Sequence, residues 1–206
     1  MAVHVSIATP SEVGQCARVI AQALSNDAVL RALIPGDNDR PERLTSLFTS
    51  ILRHGPLACG VIDTARLEPG GEIIGAAAWE GPDKRRGPAN ALGELTRYIR
   101  AAGARHAPAV SRQLAAYQHV QPRTPHWYLA DIGVSDTARG LGVGTALLTY
   151  RLSAIDAQQL PAYLEATTTA NQRLYDRLGF RPVRRIETAS ATPTGMLRPP
   201  HRPTPP

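Results

Sequence analysis

Three glycines stand just before a helical pattern, in the segment DTARGLGVGTALL at residues 136–148. They are Gly140, Gly142 and Gly144, and apolar residues separate them. Glycine lets backbone N–H groups approach an anion, and a helix N-terminus adds partial positive charge worth roughly 0.3–1 kcal/mol per contact. The spacing therefore predicts a phosphate-binding loop, and the alternative is a glycine-rich turn that holds no ligand.

Two common phosphate loops do not fit these glycines. A Walker loop places a lysine directly before a serine or threonine, and no lysine precedes Thr145. The dinucleotide fingerprint has the spacing G-x-G-x-x-G, whereas residues 140–144 read G-x-G-x-G, with no acidic residue closing a second strand about 20 residues further on. The loop is therefore predicted to hold a phosphate of another class of ligand.

A second pattern narrows that class. The glycine loop reads R-x-x-G-x-G at 139–144 after a strand ending I-G-V at 132–134, and N-x-x-x-Y-x-x-x-G-F follows at 171–180. In this order the two motifs resemble the GNAT N-acetyltransferase superfamily. The resemblance is good over residues 126–183 and looser before them. It is closest to the branch that includes puromycin N-acetyltransferase.

The resemblance implies acetyl-CoA as co-substrate and no metal. The pantetheine arm would pair with backbone groups of Ile132 and Val134, in a gap between residues 132–134 and the strand at 163–167. Backbone amides of 139–144, with Thr145, would hold the pyrophosphate. Asn171 would hydrogen-bond the pantetheine, or it caps a helix instead, and Arg139 meets a phosphate or lies at the surface. The cofactor-binding residues so implied are Ile132, Gly133, Val134, Arg139, Gly140, Leu141, Gly142, Val143, Gly144, Thr145 and Asn171.

The implied reaction is direct attack of an amine on a thioester, and it poses two proton problems. An alkyl ammonium has a pKa near 10, so freeing the amine at pH 7 costs roughly 4 kcal/mol. The departing thiol has a pKa near 8.5 and leaves more easily with a proton donor near sulfur. By its place in the motif, Tyr175 is expected to be that donor.

The residues leave the identity of the general base open. Many members of the superfamily carry Glu or His on the central strand, where this chain has Tyr128 and Ala130. Glu165 lies within a strand beside the expected gap, where a carboxylate has few structural reasons to be. Asp131 should face away from Tyr128 unless a β-bulge turns it. We expect Glu165 to be catalytic, with Asp131 or a water chain as alternatives; His126 is more simply an edge residue of the strand.

The resemblance implies a small-molecule amine as acceptor, of the antibiotic or secondary-metabolite kind. The early helices, the turn at 53–56 and the charged loop 81–88 should form its site. Acidic residues in the first helical segment could attract a cationic amine or form an ordinary solvated loop; they are Asp27, Asp37, Asp39 and Glu42. Two other functions remain open: a protein or peptide acetyltransferase, which needs an open groove, and an acyl-CoA-binding protein without catalysis.

Composition excludes several classes of partner. The net charge is +6, but the arginines are scattered and aromatic residues make up only 5%, so nucleic-acid binding is not expected. No apolar run reaches the roughly 18 residues of a membrane span, and no signal peptide is evident, which favours the cytoplasm.

Cys16 and Cys59 have neither metal-site nor disulfide spacing. Arginine-rich composition with Lys84 as the single lysine is typical of GC-rich bacteria, and both a monomer and a homodimer are compatible.

Periodicity supplies the elements that must position these residues. Alternating or β-rich segments predict strands at 3–7, 58–65, 72–79, 126–134, 161–167, 180–187 and 195–198. Helical spacing predicts helices at 10–24, 30–34, 41–54, 89–104, 109–120, 143–157 and 170–178. We therefore predict one α/β (α+β) domain over residues 1–198. It has a mixed central sheet of about six to seven strands, splayed around acetyl-CoA and flanked by helices, before a disordered proline-rich tail at 199–206.

Overall fold

A computed structural model describes residues 2–83 and 88–200. Part of the charged loop at 81–88 and residues 201–206 of the predicted tail therefore lie outside the described residues. The described chain contains seven strands: β1 His4–Ile7, β2 Gly60–Arg66, β3 Gly75–Glu80, β4 Trp127–Val134, β5 Ala162–Ala166, β6 Arg181–Arg185 and β7 Thr194–Arg198. Its α-helices are α1 Val13–Ala23, α2 Ala28–Leu33, α3 Arg40–His54, α4 Pro56–Cys59, α5 Pro88–Ala102, α6 Ala107–Val120, α7 Val143–Ala157 and α8 Thr169–Arg177.

The strands form one mixed sheet in the order β1-β2-β3-β4-β5-β7-β6. All neighbours are antiparallel except β4 and β5, which are parallel and pair only at Trp127–Ala162 and Tyr128–Tyr163. Beyond these two pairs the strands part, although β4 continues to Val134. The predicted single α/β domain with a splayed mixed sheet is confirmed, and the splay opens at the middle of the sheet.

Helices cover both faces of the sheet. On one face, α1 buries Val13, Cys16, Ala17 and Ile20 completely, at the i, i+3, i+4, i+7 spacing of an amphipathic helix. Together with α2, α3, α5 and α6 it forms one apolar core. On the other face α7 and α8 pack on Trp79 and Leu129 in a second core. Burial raises the pKa of the Cys16 thiol to about 12, so this cysteine is an inert core residue.

A buried ion pair fixes α7 on the sheet. Arg151 Nε lies 2.9 Å from Asp63 Oδ2 on β2, and a second guanidinium nitrogen lies 2.5 Å from Oδ1. Asp63 is fully buried and Arg151 is 7% exposed. Such two-point contact restricts both position and rotation of the partners. The pair therefore holds in place the helix whose N-terminus carries the glycine loop.

A β-bulge interrupts β4 at its centre. Trp79 of β3 pairs with Leu129, but Ala78 pairs with Asp131, so Ala130 is an extra residue. The extra residue reverses the alternation of side chains beyond it. Asp131 consequently faces the same side of the sheet as Tyr128, the side covered by α1. The bulge that would turn Asp131 is thus present.

Several predicted elements begin at a different residue; the strand predicted at 72–79, for example, begins at Gly75. The strand predicted at 58–65 begins only at Gly60, because residues Pro56–Cys59 form the short helix α4. The amides of Ala58 and Cys59 both donate to the Gly55 carbonyl, at 3.0 and 2.9 Å. Proline at the first position has the backbone angle that a helix needs. These local hydrogen bonds and the proline therefore favour a helical turn at 56–59, although the apolar residues there predict the start of a strand.

Candidate active site

The parted strands leave one edge of β4 without a neighbouring strand. The amide of Ser135, just after β4, donates to Ile74 O on the β3 side at 2.8 Å. Because N–H groups alternate between the two edges of a strand, those of Ile132 and Val134 face the gap toward β5. The amide of Gly133 points toward β3 instead. On the face of the sheet covered by α1, a Cβ atom at Gly133 would lie 2.7 Å from Ile20 Cα. The lack of a side chain at Gly133 therefore allows α1 to pack closely on β4.

The N-terminus of α7 is an open cradle of backbone amides. Gly142 precedes the helix with a φ of +78° and Gly140 has a φ of +81°, both in the left-handed region that favours glycine. The first amides of the helix, those of Val143, Gly144 and Thr145, have no intrahelical acceptor, as at any helix start. Among the described residues no side chain caps them. The cradle therefore suits a phosphate group.

The side chains around this cradle divide into buried and exposed ones. Val143 is 1% exposed, and a Cβ atom on Gly75 of β3 would lie 2.7 Å from its Cγ1, so it fixes the helix start on the sheet. Leu141 is 49% exposed and Thr145 is also exposed. Arg139 forms a 2.8 Å surface ion pair with Asp136. Its guanidinium lies beside the loop and remains open to solvent.

Helix α8 places two predicted residues on the gap. Thr168 is its N-cap, and its hydroxyl accepts the amide of Asn171 at 3.1 Å. The Asn171 side chain is therefore not the cap, and it lines a cavity that also reaches Tyr175. Tyr175 is 4% exposed, and its ring lies edge-on to Phe180 with 5.9 Å between centroids. Burial raises the pKa of its hydroxyl above the usual value, so the phenol stays protonated near neutrality.

That cavity has a volume of about 1030 Å³. It runs from the β4–β5 gap to a chamber whose walls come from the α1–α2 connection, the end of α3, and helices α5 and α6. Three predicted site residues on its gap side are Glu165, Asn171 and Tyr175. The fold therefore brings the predicted catalytic residues to one cavity.

Glu165 occupies the face of β5 that turns toward the chamber. Its Oε2 accepts a 2.8 Å hydrogen bond from the Tyr128 hydroxyl. Its Oε1 is buried and receives no well-formed hydrogen bond from the described residues. Burial raises the pKa of Glu165 to about 7, against the opposing effect of nearby donors, chiefly Tyr128. A carboxylate with a pKa near 7 is suited to accept a proton at neutral pH.

Asp131 is a second carboxylate in the same cavity. The bulge places it on the chamber side of β4, and burial raises its pKa to about 7, with further increases from the charges of Glu80, Glu94 and Asp27. Among the described residues, none donates a hydrogen bond to it or forms an ion pair with it. The cavity therefore holds two carboxylates that can accept a proton or bind a cation.

Comparison with known proteins identifies the family to which the chain belongs. Residues 28–180 match the acetyltransferase (GNAT) family. A Corynebacterium glutamicum protein named histone acetyltransferase HPA2 and related acetyltransferase is 31% identical, covers 99% of both chains and has a TM-score of 0.75. The chain belongs to the GNAT acetyltransferase family. It is an N-acetyltransferase, and the family uses acetyl-CoA.

More distant structures share the fold. A mosquito arylalkylamine N-acetyltransferase-like 5b has 11% identity and a TM-score of 0.65, over 96% of this chain and 100% of its own. An agmatine N-acetyltransferase has 15% identity and a TM-score of 0.62, over 95% and 98%. At these identities the likeness establishes the architecture of the GNAT protein and leaves its acceptor to be argued from the cavity.

The chamber wall formed by α5 and α6 is the part of the cavity that the sequence did not reveal. Tyr98 of α5 and Tyr117 of α6 line it, although their helical spacing looks like ordinary core packing. Of the four acidic residues in the first helical segment, only Asp27 lines the cavity. Asp37 pairs with Arg31, and Asp39 pairs with Arg43 at the surface. Part of the loop 81–88 lies outside the described residues.

Substitution of Gly144 tests the phosphate cradle in this GNAT protein. A Cβ atom at Gly144 would meet only Leu174 and Val134, each at 3.9 Å, so Gly144→Val should fold. The added side chain would stand beside the free amides of α7. We therefore expect acetyl-CoA to stabilise the wild type against heat and this variant to lose that stabilisation. Differential scanning calorimetry with increasing acetyl-CoA measures this.

Gly14→Val is the matched control for that change. Gly14 follows a valine at the second position of α1, as Gly144 does in α7, and a Cβ atom there would meet nothing within 4 Å. This control should keep the full acetyl-CoA-dependent stabilisation. A folded Gly144→Val protein that is stabilised as strongly as the wild type would remove the loop from the cofactor site.

Tyr128→Phe tests the hydrogen bond that holds Glu165. The Tyr128 hydroxyl favours the charged carboxylate, so its loss should raise the pKa of Glu165. We expect the acidic limb of kcat/KM against pH to move to higher pH by up to about one pH unit. Tyr150→Phe, on the exposed side of α7, should leave the profile unchanged. A limb that stays in place in Tyr128→Phe would mean that Glu165 does not contribute to it.

Proposed function

We propose that this N-acetyltransferase transfers an acetyl group from acetyl-CoA to a primary amine of a small molecule of the antibiotic or secondary-metabolite kind. The observation that carries the proposal is a single cavity that joins the β4–β5 gap to a chamber walled by α5 and α6. Two carboxylates, Glu165 and Asp131, line it where the gap and the chamber meet. A walled chamber suits a compact amine better than an extended peptide.

Backbone groups supply most of the proposed cofactor site. The amides of Ile132 and Val134 would pair with the pantetheine arm, and those of residues 140–145 would hold the pyrophosphate, with Arg139 nearby. Asn171, whose side chain lines the cavity, would bind the pantetheine. When bound, acetyl-CoA supplies a thioester, which is an activated acetyl group on a thiol leaving group.

The carboxylates deal with the charge of the acceptor. An ammonium group must lose a proton before it can attack, at a cost of roughly 4 kcal/mol at pH 7. Asp131, which has no partner among the described residues, would bind the ammonium group and direct it toward the gap. Glu165, held by Tyr128, would accept its proton directly or through a water molecule.

Tyr175 would complete the proton balance on the far side of the gap. Its hydroxyl is protonated near neutrality, and it lies on α8 beside the proposed path of the pantetheine. It would donate a proton to the departing sulfur and regain one from solvent or from the amine. The reaction thus needs one acceptor and one donor at opposite ends of the transferred group.

A peptide amine is the second candidate acceptor, favoured by the 31% identity to the protein named histone acetyltransferase HPA2. Thiol release from acetyl-CoA tests both candidates, with small amines in one series and a basic peptide mixture in another. We expect small amines to raise turnover above hydrolysis and the acetylated product to appear by mass spectrometry. Turnover with peptides alone would replace the small-molecule proposal, and no turnover with any amine would overturn it.

A further inference from the structure

Three carboxylates in the acceptor cavity have oxygen atoms without a cationic partner among the described residues. Asp131 has no hydrogen-bond or ion-pair partner there, and Glu165 Oε1 is buried without a well-formed hydrogen bond. The third is Asp27, which lines the same cavity from the start of α2. An ionised carboxylate removed from water needs a counter-charge or a proton. Arg97 and His54 also line the cavity, but in the described part of the chain neither forms an ion pair with these three carboxylates, so a cationic ligand can supply the counter-charge.

Asp27 uses only one of its oxygens within the protein. Its Oδ1 accepts the amides of Val29 and Leu30 at 2.9 and 3.0 Å, which makes it the N-cap of α2. Arg40 is the nearby cation whose pKa responds to Asp27, but it directs its hydrogen bonds to the backbone carbonyls of Ser25 and Ile34. The Oδ2 atom therefore remains available to a ligand.

Aromatic and apolar side chains lie between the acidic ends. Tyr117 lines the same cavity as Glu165 and Asp27, and burial together with the charges of these two carboxylates raises its pKa. Burial and the charge of Asp131 raise the pKa of Tyr98, which lines the cavity as well. Aromatic faces attract cations, and Leu30, Phe48 and Leu114 line the same cavity. Such a lining suits an alkyl or ring spacer between cationic groups.

A buried polar group adds an observation independent of the carboxylates. Gln113 of α6 is 8% exposed and lines the cavity. Its Nε2 makes no well-formed hydrogen bond among the described residues, although Gln113 lies close enough to the Tyr117 hydroxyl to lower the pKa of that group. The oxygen and nitrogen of such an amide can exchange places by rotation, so the group can either accept from or donate to a ligand. An unpaired buried amide is costly unless a ligand or a water molecule completes it.

We propose that the acceptor carries two cationic nitrogens, of which Glu165 and Asp131 bind the one that reacts and Asp27 binds the other. This inference rests on the proposed function. A monoamine would leave Oδ2 of the half-buried Asp27 unused, whereas a dication contacts both acidic ends of the cavity. The predicted class includes linear diamines, guanidino-amines and diamino ring compounds.

Matched amines test the inference. We would measure kcat/KM with α,ω-diaminoalkanes of three to eight carbons and with n-alkylamines of the same lengths. At the best length, the diamine should exceed its monoamine by about tenfold or more, as expected for a second charge-assisted contact. Higher salt should reduce that ratio, because the extra contact is electrostatic.

Asp27→Asn locates the second subsite. Asparagine caps a helix about as well as aspartate, so α2 should persist while the charge is lost. The diamine preference should fall to about threefold or less in this variant, with an unchanged thermal unfolding midpoint. Asp37→Asn is the matched control, because Asp37 is exposed and lies outside the lining of the cavity. It should keep the wild-type preference.

The outcomes separate the two proposals. Equal kcat/KM for diamines and monoamines at every length would overturn the dication inference and leave the proposed function standing. A diamine preference that survives in Asp27→Asn would overturn the assignment of the second nitrogen to Asp27. Failure of both amine series, in a protein that acetyl-CoA still stabilises, would overturn the small-molecule function itself.

Discussion

We expect Glu165→Gln to lower kcat/KM for the amine by about 10²–10⁴, the range for loss of one positioned general base. Glutamine keeps the size of the side chain and can still accept the hydrogen bond from Tyr128, but it cannot take a proton from an ammonium group. Cofactor binding should change little, since the proposed phosphate contacts lie at the start of α7. Thiol release at saturating acetyl-CoA with varied amine measures the effect.

The pH profile gives this prediction a second readout. Wild-type kcat/KM should rise as pH increases through about 7, because the raised pKa of Glu165 leaves it partly protonated below that value. Since the pKa of Asp131 is also raised to about 7, the observed limb belongs to the two carboxylates together. Glu165→Gln should change its shape as well as the rate.

Two further variants decide which carboxylate is the base. Glu187→Gln, an exposed change after β6, should leave the rate unaltered. Asp131→Asn should raise KM for the amine more than it lowers kcat, because Asp131 is proposed to bind the ammonium group. A near-normal rate in Glu165→Gln together with a collapse of kcat in Asp131→Asn would transfer the role of base to Asp131. Near-normal rates in both would favour the water chain.

The sequence predicted the elements that depend on local signals. The alternation of β4, the glycines before α7 and the N-x-x-x-Y segment of α8 each involve neighbours within a few residues. Their order then identifies the family and, through it, the gap between β4 and β5. The structure places Ile132, Val134 and Tyr175 around that gap, as the resemblance implied, while Gly133 faces β3 and α1.

The remaining features depend on tertiary packing. Nothing in the residues Leu129-Ala130-Asp131 signals a bulge, which exists only through the pairing of β4 with Ala78 and Trp79. Strict alternation would turn Asp131 away from Tyr128, so its role could be stated only conditionally. The walls of the chamber could not be predicted from the sequence either. The apolar stripes of α5 and α6 do not reveal whether Tyr98 and Tyr117 cover a core or line a cavity.

Tyr175→Phe should slow acetyl transfer by about 10²–10³, toward the lower end of what one positioned proton donor contributes. The ring would keep its packing, since its edge-on contact with Phe180 does not involve the hydroxyl. A phenol is protonated at neutral pH even at its ordinary pKa near 10, and burial raises the pKa of Tyr175 further, so the wild-type residue carries the proton that the sulfur needs. Single-turnover transfer at saturating acetyl-CoA isolates this step.

A thiolate is already a fair leaving group, so solvent could supply the proton and make the hydroxyl dispensable. In that case the rate would fall by less than about fivefold, which a single-turnover measurement distinguishes clearly from a hundredfold loss. Tyr150→Phe removes a hydroxyl from a tyrosine that is 41% exposed on α7, and its rate should equal that of the wild type. If Tyr175→Phe matches it, Tyr175 is a packing residue beside the gap, and the departing sulfur takes its proton from water.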